Sequence, residues 1–250
     1  MHRFFLSSDH IEGSEVRFPN STSRQLSRVL RIQAGEKVVV LDNAGWEYEV
    51  ILTNLMGNHA IGHVEERRLV SGEPNVHITL YQCILKGSKF DLVLQKCTEV
   101  GVSSFVPIYS ERTIPNIGAN NDQSRREERW NKILTEAAEQ SGRGLIPTLN
   151  RAVDFRTACG IVMNPAIIPW EEESGTSLQS GLREIKRVEN PLSRVEIFIG
   201  PEGGFSTAEV DYARSLGIIP VSLGVRILRA ETAAIVSVSG VMYELGLLGG

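Results

Sequence analysis

From Val76 onward, short apolar runs rich in β-branched residues alternate with stretches whose apolar residues recur every three or four positions. This alternation constrains the chain more than any other feature. Strands that repeatedly alternate with helices in this way imply a mostly parallel sheet. A parallel sheet in turn needs helices over both faces. The spacing predicts strands over 76–85, 104–109, 160–168, 194–199 and 218–223. Between them it predicts a helix over 90–100, stopped by Gly101, and a longer one opened by the capping-box pattern Ser124-Arg125-Arg126-Glu127. That second helix carries Trp130, Ile133, Leu134, Ala137 and Ala138 on one face and ends at Gly142 and Gly144. Another capping box, Ser206 to Glu209, opens the next helix, and a final helix over 230–245 is rich in small residues that permit close packing.

The first 72 residues follow a different period. A strand over 36–41, a turn at Asp42-Asn43-Ala44-Gly45 and a returning strand with Trp46, Tyr48, Val50 and Leu52 on one side read as a hairpin, with a third strand near 60–65. Ahead of it, 21–32 reads as a helix with Leu26, Val29 and Leu30 on one face and Arg24, Arg28 and Arg31 on the other. Ser71-Gly72-Glu73-Pro74-Asn75 has a linker's composition. The expected organisation is therefore a small β-rich unit, 1–72, and an α/β unit, 73–250.

Composition narrows the class of function. No apolar run is long enough for a membrane helix, and Phe4-Phe5-Leu6 is too short for a signal peptide, so a cytoplasmic protein is expected. Cys83, Cys97 and Cys159 form no Cys-x-x-Cys pair and read as buried, reduced thiols; His59 and His63 lack the further ligands of a metal site, and no metal is expected. The net charge of −4 tells against gripping nucleic acid by bulk charge and leaves room for a local basic face.

Two segments could carry chemistry. In Ile197-Phe198-Ile199-Gly200-Pro201-Glu202-Gly203-Gly204-Phe205 a buried strand runs through a Gly-rich loop into a capped helix. Such loops, at the carboxyl ends of strands, are where open α/β sheets bind ligands, and glycine lets the backbone come close to a flat one. A tight strand-to-helix turn would use the same residues. The loop lacks the Gly-Lys-Ser/Thr of a phosphate loop and the Gly-x-Gly-x-x-Gly of a dinucleotide fold. In the second segment, Leu223-Gly224 passes through Arg226-Ile227-Leu228-Arg229 into a helix beginning with Ala230-Glu231-Thr232. Arginines beside a helix N-terminus are electrostatically unfavourable, which suggests a ligand or partner. Lys86-Gly87-Ser88-Lys89 and the group Glu136, Glu139, Gln140 and Arg143 fit either solvated faces or parts of a site.

These blocks together resemble the bacterial 16S rRNA (uracil-N3) methyltransferases, the ribosomal small subunit methyltransferase E family of the SPOUT superfamily. The likeness runs along nearly the whole chain. It includes Arg3-Phe4-Phe5, Arg28-Val29-Leu30-Arg31 with Gly35, Lys86-Gly87 with Lys89, Gln95-Lys96, Ser110-Glu111-Arg112, and Glu139-Gln140-Ser141 with Arg143. The two blocks 199–204 and 223–232 are its most specific parts. Gln25, where relatives often carry His, and Val225, where Pro or a basic residue is common, depart from the pattern.

The resemblance implies a PUA-like β-barrel followed by a SPOUT-type knotted parallel sheet with a C-terminal trefoil knot, and a homodimer with the active site at the subunit interface. It implies S-adenosyl-L-methionine as cofactor, held by Pro169, Trp170, Ile199, Gly200, Pro201, Gly203, Gly204, Leu223, Gly224, Ile227, Leu228, Arg229 and Thr232. It implies 16S rRNA, within the small ribosomal subunit, as the partner. The expected RNA contacts are Arg24, Arg28, Arg31, Lys86, Lys89, Arg112, Arg143 and Arg226. Methylation at N3 removes an imide proton, so a cation for the developing oxyanion and a base are needed. Arg229 is the candidate for the first role, and Glu202 or Glu231 for the second. Without the resemblance, an α/β enzyme using another nucleotide and a non-catalytic RNA-binding module stay open.

Overall fold

A computed structural model of the chain describes residues 1–113, 120–163, 165–188 and 191–248. The chain packs into two compact units. The first is Met1–Glu73 together with Ala138–Ile146; the second is Pro74–Ala137 together with Pro147–Gly250. The boundary near residue 73 coincides with the linker composition, but the end of one long helix also belongs to the first unit.

The first unit is a six-stranded sheet in the order β1-β4-β5-β6-β3-β2. Its strands are β1 (Arg3–Phe5), β2 (Ile11–Glu12), β3 (Glu15–Phe18), β4 (Lys37–Leu41), β5 (Trp46–Met56) and β6 (His59–Leu69). β1 and β4 pair in parallel and the remaining pairs are antiparallel. The hairpin turn between β4 and β5 forms because the Asp42 carboxylate accepts the amides of Ala44 (2.8 Å) and Trp46 (3.1 Å), while Asn43 and Gly45 take positive φ. Val16, Leu26, Val38, Val40, Val50 and Leu52 are fully buried in its core.

One side chain on the polar phase of β5 breaks the expected alternation. Glu47 is only 8% exposed, held by Arg3 (2.6 Å) and by Arg68. Burial alone would raise its carboxyl, but the hydrogen bonds from the two guanidiniums outweigh this and hold it below its ordinary value.

The helix expected over 21–32 is shorter and changes pitch. α1 (Asn20–Arg24) gives way to a wider turn over Gln25–Val29, closed by Leu30 N–H donating to the Gln25 carbonyl at 2.9 Å. Arg31 then takes a φ of 55°. Leu26 is buried as expected, but Val29 is 72% exposed, because the extra residue in the turn rotates it off the apolar face.

The second unit is a parallel sheet in the order β10-β8-β7-β12-β11-β13, with β9 also paired to β8. Its strands are β7 (His77–Cys83), β8 (Ser104–Tyr109), β9 (Thr148–Leu149), β10 (Val153–Asp154), β11 (Ala166–Pro169), β12 (Arg194–Ile199) and β13 (Ile219–Val221). Its helices are α2 (Lys89–Val100), α3 (Asn120–Ser141), α4 (Phe155–Gly160), α5 (Leu178–Val188), α6 (Thr207–Ser215) and α7 (Ala230–Glu244). One sheet face, with Tyr81, Cys83, Val106, Ile108, Ile168 and Phe198, packs on α4 and α6. Alternation turns Ile78, Leu80 and Ile197 to the other face, where α7 lies on β12, α2 and α5. α3 joins α2 through Phe90 and Trp130, whose rings are 4.4 Å apart.

Three boundaries differ from the sequence pattern. α3 is already helical at Asn120, so Ser124 lies inside it and caps nothing. The apolar stretch 160–168 is the end of α4 and then β11; position 164 lies outside the described residues. α4 forms because Asp154 caps it, accepting from Thr157 N (2.9 Å) and Thr157 Oγ1 (2.6 Å). All three cysteines are buried free thiols, and burial pushes Cys83 up to about 12. Among the described residues, no helix is long and apolar enough to cross a membrane and no His, Cys, Asp and Glu side chains cluster as metal ligands.

Candidate active site

The carboxyl ends of β11, β12 and β13 surround a cavity of about 370 Å³. Pro169 ends β11 and Trp170 follows it, 200–205 follow β12, and 222–228 follow β13. A parallel sheet aims the ends of its strands at one edge, so three loops distant in sequence meet there. The lining includes Pro169, Trp170, Ile199, Gly200, Pro201, Gly204, Leu223, Gly224, Ile227 and Leu228. Of the remaining residues expected around the cofactor, Gly203, Arg229 and Thr232 lie outside the lining. Arg226, expected to face RNA, and Glu202, a candidate base, do line the cavity.

The Gly-rich loop is braced from both sides. On one side, Glu202 accepts the Lys86 amide at 3.2 Å and the Lys89 ammonium at 3.1 Å. Burial would raise the Glu202 carboxyl, yet its own amide, the Lys86 amide and Lys89 outweigh that and lower it. On the other side, Arg112 Nη1 donates to the Gly203 carbonyl at 2.8 Å. Glu111 N–H donates to Glu209 at 2.8 Å, and Ser206 Oγ donates to Glu111 at 2.7 Å. Glu209 also completes the α6 capping box with Ser206, as expected from the sequence.

The paired glycines do not leave empty space. A Cβ at Gly203 would rest 3.4 Å from Arg112 Cβ. A Cβ at Gly204 would run into the Glu171 carboxylate, and Gly204 has a φ of 68°. The Gly204 α-carbon therefore makes room for the side chain of a neighbouring loop, whereas a Cβ at Gly203 would make only ordinary contact. Glu171, Glu173 and Ser174 also line the cavity, and sequence reasoning missed them. The only signal was their position just past β11.

α7 begins at the cavity, with Ala230 and Ala233 in the lining. Its N-cap, Arg229, makes no side-chain capping bond and is exposed. Glu231, in the first turn of α7, is 9% exposed, and its Oε2 is buried without a hydrogen-bond partner. It does not line the cavity.

The basic residues expected to meet RNA separate into three groups. Arg24, Arg28, Arg31, Lys86 and Arg226 are exposed. Lys89 and Arg112 are engaged in bracing the loop. Arg143 stands apart: it is 5% exposed and bound to Glu73, with Nη2 at 2.7 Å and Nε at 3.3 Å from the carboxylate. In this conformation its guanidinium is engaged by Glu73 within the first unit.

Comparison with known proteins agrees with this geometry. Residues 72–242 match the family model of the RNA methyltransferase domain. The ribosomal RNA small subunit methyltransferase E of Synechocystis sp. is 32% identical over 241 residues, covering 95% of this chain and 76% of that protein. The Bacillus subtilis protein of the same name is 27% identical, covering 100% of this chain and 99% of its own. The crystal structure of the Neisseria gonorrhoeae methyltransferase E bound to S-adenosyl methionine superposes with a TM-score of 0.86 at 29% identity, covering 97% of both chains. A Legionella pneumophila structure, described as a methyltransferase with bound cofactor SAM, gives 0.85 at 27% identity and covers 97% of both chains. With a family model spanning most of its length and a relative of this similarity, the chain belongs to the ribosomal RNA small subunit methyltransferase E family.

Proposed function

We propose that the chain transfers a methyl group from S-adenosylmethionine to N3 of a uridine in 16S rRNA of the small subunit. The observation that carries this is the cavity closed by three strand-end loops, in a fold whose Neisseria relative was solved with that molecule bound. The cavity suits a nucleoside. Its volume is in the range of small-molecule sites, and Leu223, Ile227 and Leu228 offer apolar surface to a flat base. Trp170, whose buried indole N–H has no acceptor, also lines it.

The cofactor supplies an activated methyl group bonded to a sulfonium. The chain's own residues must orient the uracil, exclude water and manage one proton. Arg229, exposed at the start of α7, would steady the uracil oxyanion as N3 loses its proton. Glu202 serves better as a loop anchor than as a base, because two donors already hold its carboxylate and lower its proton affinity. The role of base then falls to Glu231, whose unpartnered carboxylate lies in the first turn of α7 outside the cavity lining and would have to reach the uracil on substrate binding. The exposed Arg24, Arg28, Arg31, Lys86 and Arg226 would contact phosphates and set register without reading sequence. Gly203 and Thr232, outside the lining, would reach the cofactor only through backbone adjustment on binding.

The finer architecture belongs to the same reading. A PUA-like barrel agrees with the curled six-stranded sheet of the first unit. A trefoil knot agrees with the return of α7 to β12 after β13. A homodimer with a shared active site would cover Val225 and Ile227, which are 99% and 88% exposed. The activity belongs in the cytoplasm, where ribosomal subunits mature.

The test is to incubate the protein with labelled cofactor and small subunits from a strain lacking the gene, then digest the RNA and identify the nucleoside. N3-methyluridine is expected. Label on ribose, on cytidine or on large-subunit RNA overturns the assignment. A fully active monomer by ultracentrifugation overturns the shared site alone.

A further inference from the structure

The cavity contains an acidic group that nothing else in the chain uses. Glu171, Glu173 and Glu202 all line it. Glu202 is taken by Lys86 and Lys89, as described. Glu173 accepts the amides of Gly175 (2.7 Å) and Thr176 (3.0 Å) and lies 3.7 Å from Arg214. Glu171 makes no hydrogen bond or ion pair among the described residues. Yet its place is built: the carboxylate rests where a Cβ of Gly204 would otherwise stand, on a backbone position with positive φ.

We propose that Glu171 reads the ribose of the cofactor, its carboxylate oxygens accepting the two vicinal hydroxyls. This rests on the cofactor reading above and extends it to a specificity-determining residue. The chemistry follows from the two sides of the cavity. The base goes to the apolar wall of Leu223, Ile227 and Leu228, so the attached sugar falls on the polar floor at the ends of β11 and β12. There the diol needs acceptors, and the other two carboxylates of the lining are already occupied. A carboxylate can take both hydroxyls of a vicinal diol and cannot donate, so a deoxyribose would leave it half-satisfied.

The experiment is calorimetry on the full chain with S-adenosylmethionine, S-adenosylhomocysteine and the 2′-deoxyribose form of S-adenosylhomocysteine, for wild type, Glu171→Gln and Glu171→Ala. Glu171→Ala is expected to weaken the first two ligands alike, roughly 10- to 100-fold, as for hydrogen bonds to a charged group. Wild type is expected to bind the deoxy ligand correspondingly more weakly, while Glu171→Ala binds the deoxy and parent ligands equally. Glu171→Gln, which keeps one acceptor oxygen, is expected in between, and circular dichroism and melting temperature confirm that both variants fold. Unchanged affinities in Glu171→Ala overturn the proposal. So does a loss confined to S-adenosylmethionine, which would assign the carboxylate to the positive sulfonium. Absence of binding to wild type would instead overturn the cofactor reading itself.

Discussion

Replacing Glu73 by Ala separates a structural role for Arg143 from an RNA-binding one. The Glu73 carboxylate accepts four hydrogen bonds: Arg143 Nη2 at 2.7 Å, Arg143 Nε at 3.3 Å, Gly144 N at 2.9 Å and Leu145 N at 3.1 Å. It holds a guanidinium that is 5% exposed and closes the backbone just beyond α3. Removing one partner of a buried pair costs about 3–5 kcal/mol, because the other charge stays behind. Glu73 is itself 21% exposed and Arg143 has further partners, so the low end, about 3 kcal/mol, applies. At about 2–4 °C per kcal/mol for a chain of this length, the melting temperature should fall by roughly 6–12 °C. Because the two units can unfold separately, hydrogen exchange at Gly144, Leu145 and the β5–β6 hairpin should accompany calorimetry. The double variant Glu73→Ala, Arg143→Met should recover much of the stability, since it leaves no unpaired charge. A Glu73→Ala protein that melts within about 2 °C of wild type, or a double variant no better than the single, would refute this reasoning.

The adjacent glycines should respond very differently to alanine. Gly204→Ala faces both a positive φ and the Glu171 carboxylate, and should cost about 1–2 kcal/mol and weaken cofactor binding. Gly203→Ala meets Arg112 at ordinary van der Waals distance and should change stability by less than about 0.5 kcal/mol; denaturant titration of the pair checks the contrast. Glu47 has its folded carboxyl below its ordinary value of 4.5, so its stabilisation is present above that pH and lost as pH falls through the folded value. The melting-temperature gap between wild type and Glu47→Gln should therefore be widest near neutrality and close below about pH 4.5, the unfolded value. Changing Arg24, Arg28 and Arg31 together to Gln should flatten the salt dependence of RNA binding by up to about one log–log unit for each phosphate no longer neutralised, and leave cofactor affinity unchanged; an unaltered slope in filter binding would mean that this face meets solvent only.

The parallel sheet was legible because its strands are buried on both faces and so appear as unbroken apolar runs. The hairpin of β4 and β5 was legible because Asp42 and Gly45 are turn chemistry in its usual positions. Helix pitch was not. The sequence around Arg24 to Arg31 has one apolar face whether the turn is tight or wide, and the wider turn at Gln25–Val29 was needed to expel Val29. Short elements such as α4 escaped because six residues hold less than two turns of periodicity, and only the Asp154 cap betrays them. In the site, glycines and strand ends marked the cavity, whereas charged side chains were ambiguous. Nothing local distinguishes Arg143, buried against a carboxylate far along the chain, from Arg226 at the cavity. Glu171 was overlooked for the same reason, since its significance lies in which neighbours have already found partners.

The centre of the parallel sheet has a consequence for how the chain is made. β7 pairs with β12 along its full length, with His77 opposite Arg194. These partners are 117 residues apart in the sequence (194 − 77). At about 5–20 residues per second, a ribosome needs roughly 6–23 s to deliver β12 after β7 has emerged. During that interval one edge of β7 can pair only with β8, and the backbone N–H and C=O groups of its other edge have no native strand to receive them. Long-range parallel pairing of this kind also closes slowly once the partner is present, because the intervening loop must be ordered first. The nascent protein is thus expected to engage chaperones until its last third is synthesised, and truncation before β12 should yield an aggregating fragment instead of a smaller folded enzyme.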